Sequence, residues 1–261
     1  MNDTDSSNFT TDTATFGTFQ EYLNAFYKDA KCRWQNVNGF FLTGVKDFQQ
    51  IENQIRWKNY RLLKWADLPI ESGFILVPNS RIPEMWIDRD ISSTDYKRLY
   101  QDFLRNIIQI KDVETALIGY DLDHVYSFSS AHRKELVRYM LLLPVDDSVN
   151  RSYSSLEHAR SGDERGQKLV HSGDYFTFAK AMGIKAPSIA ESAKEDELEN
   201  YITQLVLFGC VHDSSREIDL NAFRILYNRV KDASVKSRKT AKNSPLPSRG
   251  RRNLSSGKLK E

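Results

Sequence analysis

Apolar residues recur at three- and four-residue spacing along much of the chain, and that pattern predicts a mostly helical body. Thr18-x-x-Glu21 has the form of a capping box, opening a stretch with Phe19, Tyr22, Leu23, Phe26 and Tyr27 on one side. Phe48, Ile51, Ile55 and Leu62 predict a second helix over 47–65. Residues 66–91 hold Pro69, Gly73, Pro78 and Pro83 around the run Phe74–Val77, which predicts a loop with a short strand. Ser92, Ser93 or Thr94 can cap a third helix running to about Ile108, with Tyr96, Leu99, Tyr100, Phe103, Leu104 and Ile107 at helical spacing. Three more helices are expected near 174–182, 191–208 and 219–232. Gly183 and Gly209 close the first two, and Asp219 opens the last.

The pattern changes between 114 and 160. Thr115–Gly119 and Met140–Val145 are short apolar runs of strand length, separated by polar, irregular sequence. A polar helix of about three turns is expected from 148–150 to about Arg160. The predicted class is therefore α+β, a predominantly helical body with an embedded strand–loop–strand–helix unit. Residues 1–15 and 234–261 hold too few large apolar side chains to offset their ordering entropy, and both are expected to be disordered. The body between them divides into a helical region at 16–113, the unit at 114–160 and a helical region at 161–233.

The 261 residues are 40% hydrophobic and 28% charged, enough to build a sizeable core. Two cysteines exclude a disulfide-stapled scaffold and a Cys-rich zinc module. No apolar run has the length of a membrane span, and Met1–Thr15 lacks the basic start and apolar centre of a signal peptide. The expectation is a soluble cytoplasmic protein with no membrane partner. The net charge of +2 conceals an asymmetry. Residues 231–261 carry ten Lys or Arg against two acids, a tail of +8, which leaves 27 basic and 33 acidic residues in 1–230, a body of −6. A basic run of that kind binds nucleic acid through phosphates, without reading sequence.

The chemistry sits in the unit at 114–160. Its first strand runs into Asp121-Leu122-Asp123-His124, and Asn150 lies near the start of the helix. A neutral imidazole can take a proton from water near pH 7. Carboxylate and amide oxygens suit Mg²⁺, which can stabilise charge on the leaving oxygen of a phosphodiester.

Asp123-His124-Val125, then Leu141-Leu142-Leu143-Pro144, then Asn150-Arg151-Ser152 resembles the core of the His-Me finger, or HNH, endonucleases. Leu-Leu-Pro with Asn six residues on is similar to HNH domains of modification-dependent restriction enzymes, and Asn150-Arg151 to the helix start of the HNH domain in CRISPR effector nucleases. The resemblance covers residues 115–160 and implies a ββα-metal finger. It implies His124 as general base, Asp123 and Asn150 as ligands of Mg²⁺ or Mn²⁺, and nucleic acid, DNA first, as substrate. Two features depart from the family pattern. Tyr126, Ser127 and Phe128 stand where the family often has Pro, and there is no Asn from 125 to 149 to brace the loop, Tyr139 standing nearest that place. Without paired CxxC motifs, the zinc-stapled subtype is excluded.

His124, Asn150 and His158 also spell H-N-H in order. Asn150 and His158 lie eight residues apart, about 12 Å along a helix, too far to share one ion. Asn150, the favoured assignment, is the second ligand if it lies in the helix, and His158 then contacts phosphate or supports a ligand from behind; His158 becomes the ligand if Asn150 lies in the preceding loop. Arg151 and Arg160 are candidate phosphate contacts or plain helix-surface residues, and Arg249, Arg251 and Arg252 are candidate contacts in the tail. Asp121 reads as a solvated strand-end acid or an added ligand. His132 and His171 read as surface residues. Cys210 with His212 is too small a set for a zinc site. Trp34, Trp57, Trp65 and Trp86 read as core anchors. The leading expectation is a metal-dependent HNH endonuclease that hydrolyses phosphodiester bonds. The alternative is a non-catalytic nucleic-acid-binding or adaptor protein with a degenerate finger, and a third option is an effector nuclease that works beside a partner such as an ATPase.

Overall fold

The computed structural model describes residues 14–36, 42–47, 49–50, 53, 60–63, 69, 72–78, 82–124, 137–160, 170–172, 175–190, 195–211 and 216–243, without the side chains of 35–36, 42, 160, 170–172, 195 and 237–243. The fold is α+β. The strands are β1 (Leu42–Val45), β2 (Arg61–Leu63), β3 (Gly73–Val77), β4 (Glu84–Asp88), β5 (Tyr120–His124), β6 (Tyr139–Asp146) and β7 (Val170–Ser172). The helices are α1 (Phe19–Asn36), α2 (Ser93–Phe103, continued by a π turn over Leu104–Ile108), α3 (Val113–Ala116), α4 (Asp147–Arg160), α5 (Tyr175–Ala181), α6 (Glu195–Leu207) and α7 (Arg216–Asn243).

β6 is the spine. The strands run in the order β2-β3-β4-β6-β1-β7, and β5 pairs with β6 off this path. All the pairings are antiparallel. The first half of β6 meets β1 and β4, and its second half meets β5. Tyr139 to Val145 are accordingly all buried, as a strand covered on both faces requires. The carbonyl of Pro144, which has no N–H to give a ladder, accepts from the Tyr27 hydroxyl of α1.

Local signals set the helix starts. The Glu21 N–H donates to Thr18 Oγ1, and the Thr18 and Gly17 N–H groups donate to Glu21 Oε2, which closes the capping box of α1. Ser92 caps α2 by accepting from the Asp95 N–H. Asp146, the last residue of β6, caps α4: Oδ1 accepts the Ser148 and Val149 N–H groups, each at 3.0 Å. The Asp147 N–H reaches the Gly119 carbonyl at 2.9 Å, tying the start of β5 to the start of α4. Strand, strand and helix are thus one closed unit.

Several expectations from sequence are corrected. Residues 16–113 are not a helical region, because β1 to β4 lie within them. Helix is present at 49, 50 and 53, but Arg61–Leu63 pairs with Ile75–Val77 as strand, and Phe74–Val77 has two strand neighbours. Thr115–Gly119 is not the first strand. Val113–Ala116 coil into α3, Leu117–Gly119 turn, with Gly119 at φ 80°, and the strand starts at Tyr120. Short apolar runs do not distinguish helix from strand by spacing. α7 starts before Asp219 and continues to Asn243, into the segment expected to be disordered from 234. Among its described side chains Val230 is the last in the core, and Lys, Arg and Ala, strong helix formers, carry the helix further. Residues 1–13 and 244–261 lie outside the described residues.

Candidate functional site

Adjacent residues of a strand point to opposite faces, and β5 divides its chemistry accordingly. Tyr120, Leu122 and His124 share one face. Tyr120 packs edge-on to Phe19 of α1, and the His124 ring packs edge-on to Tyr96 of α2 with centroids 4.9 Å apart. Asp121 and Asp123 share the other face, toward α4 and α5. There Asn150, in the first turn of α4, donates from Nδ2 to Asp121 Oδ2 at 3.4 Å.

The centre of that face is Lys180 of α5. Its side chain is only 2% exposed, in a helix whose residues 175–180 are all buried. Nζ donates to Asp123 Oδ2 at 2.8 Å, to Asn150 Oδ1 at 2.9 Å and to Glu157 Oε1 at 2.5 Å. It also lies 5.7 Å from the ring centre of Tyr153. An ammonium has three protons, and three oxygens receive them. Burial alone would lower the basicity of Lys180, but the carboxylates of Asp123 and Glu157 outweigh it and hold the amine above its usual range. The group is a full positive charge at neutral pH.

The frame around it is rigid. Tyr153, wholly buried, donates its one hydroxyl proton to the Ile184 carbonyl at 2.8 Å and so accepts from the Tyr201 hydroxyl at 2.9 Å. The Ala186 N–H donates to Ser152 Oγ. Four consecutive residues of α4 therefore have distinct jobs. Asn150 faces the lysine, Arg151 is exposed and pairs with Asp147 at 2.7 Å, and Ser152 and Tyr153 fasten the segment after α5.

The predicted residues are only partly brought together. Asp123 and Asn150 converge on one atom, and Asp121 joins them through Asn150. His158 is exposed near the other end of α4, so the helix presents Asn150, not His158, to Asp123. His124 leaves the opposite face of the strand. The side chains of Arg160, His171, Arg249, Arg251 and Arg252 lie outside the described residues, as do His132, His212, Trp57, Trp65 and the loop residues Val125 to Phe128. Trp34 and Trp86 are core residues, as is Cys210, whose thiol burial pushes up to about 12. Lys180 and Glu157 escaped the sequence reading. The available signal was a lone lysine inside the apolar run Tyr175–Ala181.

The oxygens are of the kind Mg²⁺ prefers, but in this structure they do not fit the ion. An ion on the same two atoms, at about 2.1 Å from each, would stand within about 5 Å of the ammonium. Charges of +2 and +1 at that separation repel by roughly 7 kcal/mol at an effective dielectric near 20. Among the described residues, no group of three or more His, Cys, Asp or Glu is placed to hold a metal ion.

Burial lowers the basicity of His124, and the Asp123 charge only partly offsets that. A histidine held below its unfolded value near 6.5 contributes stability that is fully present above that pH and declines as the pH falls through it. In an NMR titration of the five histidines, the His124 ring is expected to titrate below 6.5; a midpoint above 7 would mean the carboxylate dominates.

Compared with protein-family models, curated proteins and solved structures, the chain matches none of them. No helix among the described residues is long and apolar enough to cross a membrane.

Proposed function

We propose that this protein binds nucleic acid, DNA in the first instance, and that its β5–β6–α4 unit is a finger of the HNH type adapted for structure rather than hydrolysis. The supporting observation is the course of α7. The helix is 28 residues long, about 42 Å, and Val230 is the last of its described side chains in the core. From Lys231 to Asn243 it carries five basic residues and one acid, and the basic sequence then continues to Lys260. A cationic arm on an acidic body engages phosphates and keeps the duplex off the repelling surface. The two free cysteines, Cys32 and Cys210, agree with the reducing cytoplasm.

One observation favours a second reading, the metal-dependent endonuclease. Asp123 and Asn150 do meet at a single point, and His124 is held neutral as a general base must be. That reading requires Lys180 to give up both oxygens.

Fluorescence anisotropy on a DNA duplex across a salt series, with plasmid nicking in Mg²⁺ or Mn²⁺ alongside, separates the two. The first reading expects binding that collapses with salt, survives His124→Ala and is accompanied by no nicking. Nicking by the native protein that His124→Ala abolishes would select the second. Truncation after Asn243 removes five basic residues and one acid. If all five engage phosphates, the slope of log K against log salt becomes shallower by about 4.5. An unchanged slope would mean that the tail is not the contact.

A further inference from the structure

We propose that Lys180 is the resident cation of the ββα unit: its ammonium stands between Asp123 and Asn150 where a divalent ion would sit, and the unit takes up no Mg²⁺ or Mn²⁺ at those oxygens. This deepens the first reading of the unit, because it says what has replaced the metal.

The geometry argues it on three counts. First, the lysine is not a surface group that happens to reach inward; it belongs to a short helix that is buried over 175–180, and its own side chain is 2% exposed. Second, the ammonium is saturated. Asp123, Asn150 and Glu157 accept at 2.8, 2.9 and 2.5 Å, which uses every proton it has. Third, the amide of Asn150 is fixed at both ends, Oδ1 on Lys180 and Nδ2 on Asp121, so its oxygen is oriented toward the lysine. A second cation at these atoms would have to displace a buried, fully hydrogen-bonded one. The part of a metal that a lysine can play here is to draw the end of β5 onto the first turn of α4. A lysine buried this deeply is not placed to hold a scissile phosphate.

The test is metal binding by the full-length protein without nucleic acid, so its result does not depend on whether DNA binds. Mn²⁺ is added to labelled native protein, and the side-chain amide resonance of Asn150 is followed by NMR. The resonance is expected to stay sharp at stoichiometric Mn²⁺, and electron paramagnetic resonance of free Mn²⁺ should show no site tighter than millimolar. Stoichiometric binding that broadens the Asn150 amide would overturn the proposal. Lys180→Ala leaves Asp123, Asn150 and Glu157 around a vacated position. Where that variant folds, it should bind Mn²⁺ at least tenfold more tightly than the native protein, with a melting temperature that rises with Mn²⁺. The native-protein experiment stands on its own if the variant does not fold.

Discussion

Lys180→Met is expected to destabilise the protein by about 3 kcal/mol at neutral pH, among the largest effects of any single substitution. Methionine matches the length of the stem, so little cavity is created. What is lost is the charge between two carboxylates. Asp123 and Glu157 are 18% and 31% exposed, so water relieves part of their repulsion, and the expected cost lies at the low end of that for breaking a buried pair. For a domain of this size it corresponds to a fall in Tm of about 6–12 °C. Urea denaturation checks it: the midpoint should fall with the slope unchanged. Adding Glu157→Gln to the methionine variant removes one stranded charge and should recover part of the loss, a non-additivity of about 1 kcal/mol. A cost under about 1 kcal/mol for Lys180→Met alone would show that the ammonium does not hold α4, α5 and β5 together.

The sequence made the centre of this unit readable because its signals are local. The polar run into Asp121-Leu122-Asp123-His124, the apolar strand closed by Asp146 and the helix bearing Asn150 each announce themselves within a few residues. The structure places them in that order as an antiparallel pair and a helix. The four strands between 42 and 88 were harder. Each is three to five residues long. All of β3 and β4 is buried, and the acids of β4, Glu84 and Asp88, stand only at its ends, so neither strand shows the alternation that marks a half-exposed strand. The pairing of β1 and β4 with β6 is a long-range fact, as in Trp86 opposite Leu141.

The site was half legible for the same reason. Asp123 and Asn150 could be paired because a known spacing joins them. Lys180 lies 30 residues beyond Asn150 and 57 beyond Asp123, and nothing local says that it turns inward. From sequence those oxygens are assigned to Mg²⁺ or Mn²⁺, whereas the structure sets an ammonium against them. His124 shows a complementary limit. Its neighbour in sequence is Asp123, but the pleat sends the two to different faces, and burial against Tyr96 sets its basicity more than the adjacent acid does.

Arg33→Met is expected to cost about 3–5 kcal/mol at pH 7, and that cost should shrink in acid. Arg33 of α1 reaches Glu84 of β4 at 2.5 Å, the Tyr60 hydroxyl at 2.7 Å and Asp29 at 2.8 Å. Glu84 is 1% exposed; its remaining side-chain partner is the Trp86 indole N–H at 3.2 Å. Burial raises the Glu84 carboxyl above its ordinary range even with the Arg33 charge opposing it, so removing the guanidinium moves it further up. The sign follows from linkage. A group whose folded value is raised favours the folded state below its unfolded value, near 4.3, and that advantage is lost as the pH climbs through the folded value. At pH 7 the variant must bury an uncompensated carboxylate or hold a proton against the solution. Near pH 4 the carboxyl is largely protonated in both states, and only the lost Tyr60 and Asp29 contacts remain. The difference in unfolding free energy between native and variant, measured in urea at several values from pH 4 to 7, should therefore grow with pH. A difference that stays flat would mean that Asp29 and Tyr60, not Glu84, are the partners whose loss destabilises α1. The outcome reaches the ββα unit, because β4 carries Glu84 and pairs directly with β6, against whose second half β5 holds Asp123 in place.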